Sequence, residues 1–129
     1  MGETASEWLA LIVDDSEDTR LLWEKCFQEA GFRVAVARDG SEAVRITESE
    51  KPDAVVTDLD MPVMDGIEAA TAIRAGTRPA TYLIAVTAHA GDGTRRAAFN
   101  AGFDDVVTKP VDPTVLVAIV RAALLSRKT

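Results

Sequence analysis

The chain has 129 residues, a formal net charge of −7 and 47% hydrophobic residues, enough for one folded unit with its own core and unlike a disordered or membrane chain. An acidic balance disfavours binding nucleic acid through a basic face, because phosphate affinity rests on Lys and Arg, and it admits cation binding. No run approaches ~18 apolar residues, and the opening MGETASEWLA lacks the basic start and apolar stretch of a secretory signal. The expectation is therefore a cytoplasmic protein with no membrane contact, one domain over residues 1–129 with a core from about 7 to 126. Cys26 has no second cysteine to pair with and reads as a packing residue in an apolar helical stripe.

Short apolar runs alternate with amphipathic stretches, and Gly, Pro or Asp punctuates the joins. WLALIV (8–13) predicts a strand, and the SEDTRLLWEKCFQEAG that follows predicts a helix with a polar start and a Gly stop. Leu22, Cys26 and Ala30 are expected on one face of it, with Trp23 and Phe27 beside them. RVAVA (33–37) is followed by a helix over about 41–48, AVVTD (54–58) by one over 66–75, and YLIAVT (82–87) by one over about 94–100. DVVTK (105–109) precedes the last helix, which opens at Pro113, a favourable first-turn residue. In that helix Leu116, Ile119, Val120 and Ala123 are expected to form the core stripe. Val117, Ala118 and Leu125 would lie off it as an apolar face for a downstream partner or a second copy of the chain.

Strands that are apolar throughout predict a sheet covered on both faces, the product of parallel βαβ units. The fold class is thus a three-layer α/β domain with a five-stranded parallel sheet. Binding sites in such folds lie beyond the carboxyl ends of the strands, which here carry Asp14 and Asp15, Asp58, Thr87 and Lys109. Three converging carboxylates repel one another unless a cation offsets them, and Mg²⁺ takes all-oxygen sites with few carboxylates plus phosphate oxygens. Lys109 and Thr87 would offer a point charge and a hydroxyl to an anion with several oxygens, most simply a phosphoryl group. Aspartate can itself accept such a group as an acyl phosphate, and Asp58 is the central candidate. His89 reads as a loop histidine and not a metal ligand; Trp8 and Trp23 read as packing residues.

With Asp14-Asp15, the segment DLDMPVMDG that begins at Asp58, Thr87 and Lys109-Pro110, the chain resembles the receiver domains of two-component response regulators over nearly its whole length. The resemblance implies a doubly wound flavodoxin-like (βα)5 fold with strand order 2-1-3-4-5. It implies phosphorylation on Asp58 by a histidine kinase or histidine phosphotransfer protein, a phosphoacceptor role and not that of an enzyme with its own substrate. It also implies Mg²⁺ held by Asp15, Asp58 and the backbone carbonyl of Asp60, Asp14 acting largely through water, Thr87 as the switch hydroxyl, and a cis Lys109-Pro110 bond. Two positions depart from the common pattern. Val106 stands where many receivers carry an inward-turning Tyr or Phe, and Asp60 adds a carboxylate two residues past the acceptor.

Other readings were open to the same residues. Asp58-Leu59-Asp60 satisfies the D-x-D motif of haloacid-dehalogenase-type phosphatases, but their nucleophile strand comes first and their acidic pair last, the reverse of this chain. A flavodoxin-like binding module would carry a phosphate loop rich in Gly, Ser and Thr, where this chain has DDSEDT. A pseudo-receiver that only binds a partner would have no need of the complete set of acidic, Thr and Lys residues.

Overall fold

The computed structural model describes residues 8–60, 65–76, 81–89 and 91–127. Strands and helices alternate as β1 (Leu9–Val13), α1 (Glu17–Glu29), β2 (Arg33–Ala37), α2 (Gly40–Glu50), β3 (Ala54–Asp58), α3 (Gly66–Gly76), β4 (Tyr82–Thr87), α4 (Asp92–Ala101), β5 (Asp105–Thr108) and α5 (Pro113–Arg127). Every pairing is parallel and the strand order is β2-β1-β3-β4-β5, as the resemblance implied. Each observed end lies within two residues of its predicted position.

Successive side chains of a strand point to opposite faces, so each central strand feeds two cores. Ala10, Ile12, Val56, Ile84 and Val86 face Trp23 and Phe27 of α1 and Leu116, Val117, Val120 and Leu124 of α5. Leu11, Val13, Val55, Leu83 and Ala85 face Ala43 of α2, Ala70 and Ile73 of α3 and Ala98 of α4. The sheet is thereby sandwiched, and β1, β3 and β4 are buried along their whole length. The edge strands β2 and β5 are only partly covered despite an equally apolar β2 sequence, since an edge has a neighbour on one side alone.

Two helix faces differ from the expectation. In α1 the buried residues are Trp23 and Phe27, while Leu22 is half exposed and Cys26 partly covered. In α5, Val117 is buried, Ile119 and Ala123 are only partly so, and the apolar outer residues include Val115, Ala118 and Leu125. The reason is shared: α1 and α5 pack against each other as well as on the sheet, so each turns its stripe toward the groove between them. Trp8 lies in the same core, its ring 5.8 Å from that of Phe32.

Helix ends follow local chemistry. Ser16 caps α1 by accepting from Thr19 N–H, and Gly31, at φ 99°, stops it in the left-handed region that glycine tolerates. Asp65 and Glu68 form a reciprocal capping box at the start of α3: Glu68 N–H donates to Asp65 Oδ1 (2.9 Å) and Asp65 N–H to Glu68 Oε1 (3.3 Å).

Candidate functional site

The register of the sheet assembles the site. Val13 is aligned with Thr57, so the residues one step on, Asp14 and Asp58, leave adjacent strands side by side. Asp58 is aligned with Val86 and Thr87 with Thr108, which places Thr87 and Lys109 just beyond the acceptor on its other flank. Lys109 N–H donates to the Thr87 carbonyl at 2.8 Å, and the Lys109-Pro110 bond is cis.

Asp14, Asp15 and Asp58 each offer a carboxylate oxygen, and these oxygens lie within 4.8 Å of one another. Asp14 and Asp58 are buried and Asp15 is exposed. Lys109 Nζ stands 2.8 Å from Asp58 Oδ2 and 3.7 Å from Asp14 Oδ2. The other Asp58 oxygen, Oδ1, accepts the Asp60 N–H at 3.0 Å, while the Asp60 side chain is exposed. Asp14 Oδ1 accepts the Ser16 N–H at 2.8 Å, and Asp14 Oδ2 is buried with no hydrogen-bond partner. A buried carboxylate oxygen with no hydrogen bond, facing two more carboxylates and held only by the 3.7 Å ion pair to Lys109, leaves negative charge that a further cation would offset. The all-oxygen donor set suits a hard divalent ion.

The charge balance shows in the titration of these groups. Burial pushes the Asp14 carboxyl above the usual carboxylate range; the Ser16 N–H and Lys109 counter it, and the charges of Asp58 and Asp15 add to it. Burial works against the Lys109 ammonium, yet the hydrogen bond and charge of Asp58, joined by Asp14, outweigh it and hold the lysine pKa above its ordinary value. The buried Thr87 hydroxyl accepts the His89 N–H at 3.0 Å, tying the end of β4 to its following loop.

All five strand-end residues singled out in the sequence therefore meet at one edge. Asp65 does not belong to them, its carboxylate serving as a helix cap. His89 is exposed and outside the carboxylate group. Val106 is buried in the core on the side of α2, α3 and α4. Two contributors escaped the sequence reading. Arg20 Nη1 donates to the Asp14 carbonyl at 2.9 Å; the signal was a cation early in a helix whose first turn is otherwise acidic. At Gly66 an added Cβ would lie 2.5 Å from the Asp58 carbonyl oxygen and 2.9 Å from Leu59 Cα, so only glycine lets α3 start against the acceptor strand.

A five-stranded parallel α/β domain with three carboxylates and a lysine at the carboxyl ends of its strands is a doubly wound domain whose site suits a hard divalent ion and an anion with several oxygens. The chain belongs to the response regulator receiver domain family, whose model matches residues 10–121. It is 38% identical over 125 residues to a 14.6 kDa protein of Leptolyngbya boryana, covering 96% of this chain and 95% of that one. It is 39% identical over 117 residues to the transcriptional regulatory protein PrrA of Mycobacterium tuberculosis, covering 91% of this chain but 50% of PrrA. The chain thus spans about half the length of that relative. Among solved structures it is similar to chemotaxis protein CheY4 of Vibrio cholerae, with TM-score 0.85, 28% identity, and 89% and 97% of the two chains covered. It is also similar to the receiver domain of a Pseudomonas aeruginosa sensor histidine kinase, which has a magnesium ion coordinated in its active-site cleft, with TM-score 0.83, 32% identity, and 91% and 97% covered. The family makes this chain a phosphoacceptor of two-component signalling. The described residues contain no helix long and apolar enough to cross a membrane.

Proposed function

We propose that residues 1–129 act as one cytoplasmic receiver domain that accepts a phosphoryl group on Asp58 from the phosphohistidine of a histidine kinase or phosphotransfer protein. The observation that carries this reading is the setting of Asp58: buried at the end of β3, one oxygen held by the Asp60 N–H and the other by Lys109. In the transfer a carboxylate oxygen of Asp58 bonds to phosphorus, the P–N bond to the donor imidazole breaks, and its electron pair stays on the imidazole nitrogen. Lys109 exchanges a carboxylate partner for a phosphoryl oxygen, which limits the charge that builds up in the loose transition state. The Thr87 hydroxyl, now engaged with His89 N–H, is placed to donate to another phosphoryl oxygen. Asp14, Asp15, Asp58 and the Asp60 carbonyl would hold Mg²⁺, which when bound supplies positive charge to the oxygens of the group in transit. Water later cleaves the acyl phosphate and restores the carboxylate, so the domain turns over only its own modification and is not an enzyme acting on a separate substrate.

The exposed Val115, Ala118 and Leu125 of α5 are the face proposed for a downstream partner or self-association. Intact mass after incubation with acetyl phosphate and Mg²⁺ tests the acceptor. One added phosphoryl group is expected on the wild type and none on Asp58→Asn, and equal labelling of that variant would overturn the assignment.

A further inference from the structure

We propose that Arg20 is a positioning residue of the phosphoacceptor site, holding the acidic β1–α1 loop in the orientation that binds the divalent ion. This rests on the reading of Asp14, Asp15 and Asp58 as the ion's carboxylates.

Besides its ion pair with Lys109, Asp14 is restrained by three hydrogen bonds. Its N–H donates to the Ala37 carbonyl of β2 at 3.2 Å, its Oδ1 accepts the Ser16 N–H at 2.8 Å, and its carbonyl accepts Arg20 Nη1 at 2.9 Å. The first ties the loop to the sheet and the second shapes the turn. The third governs the next residue, because the Asp14 carbonyl and the Asp15 nitrogen share one rigid peptide plane. Fixing that carbonyl fixes the direction in which Asp15 departs. Asp15 is the exposed member of the carboxylate group, so the aim of its side chain depends on the backbone that carries it.

Arg20 is also built into the loop from below, since its own N–H closes the first turn of α1 on the Ser16 carbonyl at 3.0 Å. One residue thus clamps both ends of the Asp14–Ser16 segment. Its position runs against helix electrostatics. A cation near a helix N-terminus opposes the macrodipole, and the preceding turn carries Glu17 and Asp18. The contact that offsets this is the charge-assisted hydrogen bond to Asp14. The ion pairs of Asp14 and Asp58 among the described residues go to Lys109, and Arg20 meets a carbonyl instead, which marks its task as orientation and not charge neutralisation. Outer partners of metal ligands commonly change metal affinity by about 10- to 100-fold when removed.

The test compares wild type, Arg20→Met, which keeps a long apolar stem but no donor, and Arg20→Lys, which keeps one. Mg²⁺ affinity is read from the shift of the Asp15 amide resonance on titration, a measurement that needs no phosphorylation. Arg20→Met should weaken Mg²⁺ binding about tenfold, with Arg20→Lys recovering part of the loss. In parallel, acetyl phosphate labelling of Arg20→Met should demand correspondingly more Mg²⁺ for the same rate. Wild-type Mg²⁺ affinity in Arg20→Met, or an Arg20→Lys variant as weak as Arg20→Met, would overturn the proposal. Failure of wild type itself to be labelled while its Mg²⁺ affinity depends on Arg20 would instead reject Asp58 as acceptor and leave the positioning role standing.

Discussion

Lys109 reaches Asp58 at 2.8 Å and Asp14 at 3.7 Å with the same ammonium nitrogen. One cation therefore serves two buried carboxylates in a place that a metal ion would also neutralise. The two cations compete electrostatically while both favour the transferring phosphoryl group. Replacing the lysine should separate the two effects. Lys109→Met is expected to bind Mg²⁺ several-fold more tightly, by titration, and to be labelled by acetyl phosphate about 10²-fold more slowly, the typical loss of a positioned donor to a developing anion. Slower labelling with weaker Mg²⁺ binding would show that Lys109 instead organises the ion site.

Asp14 carries the opposite liability. Its carboxyl pKa is raised, mainly by burial, so the folded state holds this proton more tightly than the unfolded chain. The associated stability is complete below the ordinary carboxylate pKa of about 3.9 and is lost as pH rises through the higher folded value. With a chelator present, Asp14→Asn, which retains an acceptor for the Ser16 N–H, should be the more stable protein at pH 7. A higher melting temperature than the wild type is expected. The gain should vanish at low pH, and Mg²⁺ should stabilise the variant less than the wild type. A chelated variant that melts below wild type at pH 7 would refute this account.

Gly66 tests how closely α3 must approach the acceptor. A methyl group there would overlap the Asp58 carbonyl and the Leu59 backbone at 2.5 and 2.9 Å, and backbone cannot swing aside as a side chain can. Gly66→Ala should cost roughly 1–3 kcal/mol in chemical denaturation and slow labelling of Asp58. Stability equal to wild type would mean that the helix start shifts without strain.

Signal output should run through the Thr87 loop. Phosphorylation gives the Thr87 hydroxyl a charged acceptor in competition with the His89 carbonyl, to which it now donates at 3.4 Å. Val106 is buried and short and has no ring to exchange between two pockets. With beryllofluoride standing in for the phosphoryl group, backbone chemical-shift changes should be large from Thr87 to His89 and modest from Asp104 to Val107. The reversed pattern would place the coupling in β5.

The alternation of strands and helices and the identity of the strand-end residues were legible in the sequence because both are local. Apolar runs, helix caps and turn residues act over a few positions, and a parallel sheet turns any strand end into a candidate site. The meeting of Asp14 with Asp58 could be anticipated from the resemblance to receivers, but the physical cause is the direct pairing of β1 with β3 at Val13 and Thr57. Sequence neighbours could mislead as well. Within the acidic segment that begins at Asp58, Asp65 turned out to cap α3, a role set by Glu68 three residues on.

What only the tertiary structure decided was the exact face that each helix buries and which long side chains reach back into the site. Helical periodicity fixes the spacing of a stripe but not its rotation by one residue. The packing of α1 against α5 selected Trp23 and Phe27 over Leu22, and brought Val117 inside in place of full burial for Ile119 and Ala123. Arg20 likewise became part of the site because α1 begins beside the loop it follows, leaving the guanidinium within 2.9 Å of the Asp14 carbonyl. Such contacts depend on where whole elements settle in space; a cation in an acidic first turn marks the residue but not the partner it will reach.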